Sequence, residues 1–112
     1  MSEPGFVRAG ERGAIPRGGA RIVRAGRYEV AIFDVGGELH AYENACPHQG
    51  GPIGEGFIED ATVTCPWHAW CFDLRTGWMT LGEFARLRRF DVRVENGTVY
   101  VAREPIPDGA QT

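Results

Sequence analysis

A chain of 112 residues, 43% of them hydrophobic, has room for one domain with a modest core, which excludes the intrinsically disordered class. Twelve basic residues, all of them Arg, stand against fifteen acidic ones for a net charge of −3, so no nucleic-acid footprint is expected. No apolar run approaches the roughly 20 residues of a membrane span. Met1-Ser2-Glu3-Pro4-Gly5 has neither a basic nor an apolar leader region, and a cytoplasmic protein without membrane contact is expected.

Sixteen Gly and seven Pro suit short strands joined by turns. Residues 1–16 read as a polar lead-in. Ala20–Val23 and Tyr28–Val35 read as strands, and in the second Val30 and Ile32 share one face while Ala31 and Phe33 share the other, the pattern of a strand buried on both sides. Gly36-Gly37 reads as a tight hairpin turn into Glu38–Tyr42. Residues 44–56, rich in Gly and Pro, read as irregular. Phe57-Ile58 and Ala61–Thr64 form a second hairpin, and Trp70–Asp73 a short strand. Leu87–Val94 and Thr98–Ala102 flank Asn96-Gly97, a dipeptide that favours the type I′ turn. The segment 81–86 is ambiguous, and the tail 105–112 is expected to fray. Short strands without a convincing helix predict an all-β, antiparallel sandwich or small barrel.

Three cysteines without an export signal argue against a disulfide framework and direct attention to metal. Two loops stand out: Cys46-Pro47-His48-Gln49-Gly50-Gly51 and Cys65-Pro66-Trp67-His68-Ala69-Trp70. Each supplies one thiolate and one imidazole, and the intervening residues 49–64 contain a hairpin able to bring the loops side by side. Such soft and borderline donors suit zinc or an iron–sulfur centre. A closed four-ligand zinc site is the plain reading, but zinc modules usually pair like with like, Cys with Cys and His with His. One of each per loop is the arrangement expected when two irons are bridged.

Cys-x-His, this spacer and Cys-x-x-His, with both prolines and the following Gly-Gly, resemble the Rieske [2Fe–2S] family. The resemblance runs from about Phe6 to Val101 and includes Phe72-Asp73-Leu74-Arg75-Thr76-Gly77. It implies that Cys46 and Cys65 bind one iron of a single [2Fe–2S] cluster and His48 and His68 the other. It also implies a sandwich with a cluster-binding subdomain of two loops at one tip, within one domain: basal sheets at about 6–43 and 73–103, and the cluster-binding part at about 44–72. Gly50 and Gly51 would let backbone N–H groups approach the sulfides, while Pro47 and Pro66 would stiffen the loops. Trp67, Trp70 and Phe72 would shield the cluster.

Members of membrane complexes carry extra loop cysteines, at positions matching Gly51 and Trp67, and hydroxyl donors where this chain has Trp70 and Phe72. Oxygenase catalytic subunits need two further His and a carboxylate for a second iron, and only His40 is left over. The resemblance therefore implies a monomeric ferredoxin, itself not an enzyme. It would carry single electrons from a flavin-containing NAD(P)H reductase to a terminal oxygenase of aromatic-ring catabolism. A fixed electron-transfer subunit of a larger enzyme such as nitrite reductase is the alternative, and a structural zinc module a distant third. Among the remaining residues, Cys71 is expected to be a buried packing residue, His40 a strand residue with a solvated edge, and Arg86, Arg88 and Arg89 a solvated face. Phe33, Tyr42, Phe57 and Trp78 are expected in the core or the cluster shield.

Overall fold

The computed structural model describes residues 5–45, 51–66, 70–80 and 86–106. Ten strands follow in order: β1 (Phe6–Glu11), β2 (Ala20–Ala25), β3 (Tyr28–Val35), β4 (Glu38–Glu43), β5 (Phe57–Glu59), β6 (Thr62–Thr64), β7 (Cys71–Asp73), β8 (Arg89–Phe90), β9 (Val92–Glu95) and β10 (Thr98–Ala102). They form three antiparallel sheets, ordered β1-β10-β9, β2-β3-β4-β8 and β5-β6-β7. Short 3-10 turns at Arg12–Ala14 and Ile53–Glu55 are the remaining regular elements among the described residues.

The alternation in β3 explains the layering, because successive strand residues point to opposite faces. Val30 and Ile32 join Ala9, Ile15, Ala25, Ala41, Phe90, Val99 and Val101 in a core between the β2-β3-β4-β8 and β1-β10-β9 sheets. Ala31, Phe33 and Val35 join Tyr42, Ile53, Val63, Cys65, Phe72, Leu74 and Leu87 in a second core beneath the β5-β6-β7 sheet. β3 is thus the middle of three layers. Its Phe33 and Ile32, both fully buried, each contribute about 1.5–3 kcal/mol relative to exposure.

Gly36 and Gly37 both take positive φ (61° and 93°), as a two-residue type I′ hairpin requires. Asn96 and Gly97 do the same between β9 and β10 (52° and 78°). The polar lead-in, in which no strand is read from the residue pattern, contains β1, which pairs with β10 and agrees with the resemblance's basal sheet from about residue 6. A bulge between Arg8 and Gly10, where Gly10 has φ 120°, breaks the period-2 pattern that would reveal this strand. The long strand expected over 87–94 is two: Arg89–Phe90 pairs with β4, and Val92–Glu95 pairs with β10. Asp91 is the corner at which the chain passes from one sheet to the other.

Candidate metal centre

The first of the two Cys/His loops is pinned at its base by Asn44. This residue is 6% exposed, and its main chain continues the β3–β4 ladder by donating N–H to the Glu29 carbonyl (2.7 Å). Its side chain is bonded at both ends: Nδ2 donates to Glu29 Oε1 (2.8 Å), and Oδ1 accepts the Gly54 N–H (2.6 Å). Gly54 lies so close to the central sheet that a Cβ there would stand 2.7 Å from Ile22 Cγ1 and 3.0 Å from Ala31 Cβ. Gly54 sits in the 3-10 turn Ile53–Glu55, and Gly56 N–H closes that turn on the Ile53 carbonyl (2.9 Å). A Cβ on Gly56 would collide with the Thr64 carbonyl oxygen, so only glycine lets this segment run against β6.

The second loop is the connection of the β6–β7 hairpin. The Cys65 N–H donates to the Trp70 carbonyl (2.8 Å) and closes it. Cys65 is buried among Ile53, Val63 and Phe72, while Pro66 is exposed. Trp70 packs on the fully buried Phe72, with centroids 6.5 Å apart and planes tilted by 49°. Tyr42 ties the small sheet to the central one through a buried hydrogen bond from its hydroxyl to the Leu74 carbonyl (2.8 Å), and burial pushes its pKa up to about 12.

The structure therefore brings Cys65, Trp70 and Phe72 together, with the buried Gly51 at the other loop. Cys46, Pro47, His48, Gly50, Trp67 and His68 lie outside the described residues. Among the described residues no three His, Cys, Asp or Glu side chains converge on a point able to hold a metal ion. Ile53, which follows the first loop, and Cys65, which opens the second, pack in one core. Both loops are closed at their bases, and between them they carry two thiols and two imidazoles. This donor set fits a [2Fe–2S] cluster.

Three expectations are corrected. Cys71 is half-buried, its thiol 3.1 Å from Thr64 Oγ1. By register Cys71 shares a face with Thr64, while Phe72 pairs with Val63 on the core face occupied by Cys65. His40 has no solvated edge: it is 6% exposed, with Nε2 3.0 Å from Glu38 Oε1 and Nδ1 buried without a hydrogen-bond partner. Phe57 is neither core nor shield, at 67% exposure on the outer face of the small sheet. The arginines expected on a solvated face are exposed at Arg88 and half-exposed at Arg86 and Arg89, and two of them are occupied. Arg88 Nη1 lies 3.6 Å from Glu43 Oε1, and Arg86 stacks 5.0 Å over the Trp78 ring.

Asn44, Gly54 and Gly56 escaped the sequence reading. The available sign was an amide two residues before Cys46 and two glycines bracketing Glu55, without a β-strand pattern around them.

Comparison with known proteins agrees with this geometry. Residues 5–91 match the Rieske [2Fe-2S] domain family. The chain is 39% identical over 89 residues to the 3-phenylpropionate/cinnamic acid dioxygenase ferredoxin subunit of Photorhabdus laumondii, covering 78% of this chain and 84% of that one. It is 37% identical over 90 residues to apoptosis-inducing factor 3 of Homo sapiens, but there the match spans 78% of this chain and 14% of the relative. A chain in the complex of reduced oxygenase and oxidized ferredoxin in carbazole 1,9a-dioxygenase superposes with a TM-score of 0.85 at 28% identity, covering 95% of this chain and all of that one. The ferredoxin of carbazole 1,9a-dioxygenase from Nocardioides aromaticivorans superposes with a TM-score of 0.81 at 26% identity, covering 88% and 98%. Two Cys/His loops closed at their bases on an all-β frame, together with a family match over most of the chain, lead to one conclusion: the protein belongs to the Rieske [2Fe-2S] domain family.

Proposed function

We propose that this chain is a cytoplasmic ferredoxin that carries single electrons from a flavin-containing NAD(P)H reductase to a terminal aromatic-ring oxygenase. The observation that carries the reading is the match to a dioxygenase ferredoxin subunit over 84% of that relative's length. Cys46, His48, Cys65 and His68 are the proposed ligands, with both Cys on one iron and both His on the other. When bound, the cluster supplies reversible one-electron chemistry. The chain's own residues then shape its surroundings. Asn44 and the Cys65–Trp70 hydrogen bond hold the loop bases, while buried Phe72 excludes water beside Cys65.

The docking face we propose is the cluster tip, where the free ring edges of His48 and His68 would give a short electron path. Glu55, Glu59 and Asp60 are exposed and can steer a basic partner toward it. Glu43 is less available for this role, because Arg88 Nη1 lies 3.6 Å from its Oε1. The test is reconstituted turnover of an aromatic substrate by reductase and terminal oxygenase. Product formation should rise with added ferredoxin and saturate. If turnover is unchanged by the ferredoxin while a nitrite reductase requires it, the carrier belongs to that larger enzyme instead.

A further inference from the structure

The chemistry of Asn44 goes beyond filling a buried position. Gly54 N–H can only donate and the Glu29 carboxylate can only accept, so the amide orientation between them is fixed: Nδ2 toward Glu29 and Oδ1 toward Gly54. A residue of this size that donates at one end and accepts at the other is Asn. Asp in its place would face Glu29 carboxylate to carboxylate at about 2.8 Å, where like charges disfavour each other. Gly54 has a second restraint, because its Cα packs where any side chain would strike Ile22 and Ala31. The amide therefore joins the end of β4 to the far end of the segment that contains Cys46 and His48. Negative charge on Glu29 polarises it, which strengthens the bond to Gly54.

We infer that Asn44, oriented by Glu29, is a positioning residue for the iron centre: it latches the loop carrying Cys46 and His48 onto the central sheet and so sets how firmly that loop holds its metal. The inference rests on the proposed assignment of Cys46 and His48 as ligands. It separates two kinds of stability. Opening the latch should free this loop while both cores stay intact, since Glu29 is exposed and Asn44 belongs to neither apolar cluster.

The test measures iron release to a chelator from the purified holoprotein, together with the EPR spectrum and reduction potential. Asn44→Asp should release iron roughly tenfold faster, the equivalent of the ~1.4 kcal/mol lost with a buried hydrogen bond. Asn44→Asp combined with Glu29→Gln reverses donor and acceptor in the bond between residues 29 and 44, leaves the Gly54 N–H donating as before, and should restore the rate to within about threefold of wild type. Glu29→Ala, at an exposed position, should give an intermediate rate and a shifted EPR line shape. Val99→Ala, in the other core, serves as a control of comparable thermal destabilisation and should leave EPR and potential unchanged. The latch is refuted if Glu29→Ala matches wild type in rate and spectrum. It is also refuted if the paired exchange is no better than Asn44→Asp, or if Val99→Ala releases iron as fast as Asn44→Asp. A wild-type protein that binds no iron would instead remove the ligand assignment on which the latch rests.

Discussion

The two faces of β3 look onto regions built by different means. On one face Val30 and Ile32 meet Phe90 and, from the five-residue β10, Val99 and Val101, and apolar side chains do the joining. On the other face the small sheet has strands of only three residues. There the attachment includes polar and backbone contacts: Tyr42 to the Leu74 carbonyl, Asn44 to Gly54, and Gly56 against Thr64. The difference teaches a division of labour. Side-chain burial is non-directional and makes a platform, whereas hydrogen bonds and glycine contacts have fixed geometry and can place two loops against each other.

The sharpest way to separate the regions is to remove the proposed metal donors. Each of Cys46→Ser, Cys65→Ser, His48→Ala and His68→Ala should abolish the red-brown colour and the reduced-state EPR signal, with iron and sulfide counts falling toward zero. Far-UV circular dichroism should retain the basal sheets. Cys71→Ser should keep a full cluster, because that thiol lies on the face opposite the core.

Next in size are the backbone approaches. Gly56→Ala should cost about 1–3 kcal/mol in denaturant unfolding, since an inserted methyl must displace the Thr64 carbonyl or the strand behind it. Gly13→Ala, with open space around its position and no positive φ, should change stability by less than about 0.5 kcal/mol. Equal losses at the two sites would erase the proposed contrast.

A third effect concerns potential. Hydrogen bonds to cluster sulfurs raise it, and Phe72 offers none beside Cys65. Wild type should lie near the low end of the range of roughly −150 to +300 mV. Phe72→Tyr should move it upward in a redox titration, while Tyr28→Phe on the basal side should not. A fourth effect is kinetic: Glu55→Gln with Glu59→Gln should slow electron delivery a few-fold at low ionic strength and matter less as salt rises. Charge reversal at Arg88 and Arg89, on the central sheet edge, should have little effect in the same turnover assay.

The smallest effect belongs to the basal side. Arg12 donates to Asp34 Oδ2 (2.7 Å) and, with help from the Gly37 N–H, holds that carboxyl below its ordinary pKa. A depressed folded pKa means that the stabilisation is present above the unfolded value of about 3.9 and fades as pH falls toward the folded one. Asp34→Asn should therefore flatten the acid limb of the stability curve below about pH 4 and leave the cluster spectrum at neutral pH unchanged.

The platform was legible in the sequence where local chemistry and tertiary packing agree. β3 and β10 follow from alternation, and their hairpins from Gly36-Gly37 and Asn96-Gly97. β1 was hidden by its bulge, and the break at Asp91 by residues that continue a strand pattern while changing partner sheet. The proposed metal centre was legible for the opposite reason. Cys-x-His and Cys-x-x-His are a chemical pattern that stands out whatever the backbone does. What spacing cannot reveal is the support: Asn44, Gly54 and Gly56 show their roles only when distant atoms, Glu29 and Thr64 among them, come within contact. His40 illustrates the same point, since its burial depends on neighbouring layers rather than on its own strand.

EPR of the dithionite-reduced holoprotein, with iron and sulfide counted on the same sample, tests the central claim most directly. The account predicts two irons, two sulfides, an oxidised form without signal and a Rieske-type signal on one-electron reduction. A colourless protein holding one zinc, or electron-nuclear double resonance on the reduced protein that shows no nitrogen coupling changed when all histidine is supplied as the nitrogen-15 isotope, would contradict it.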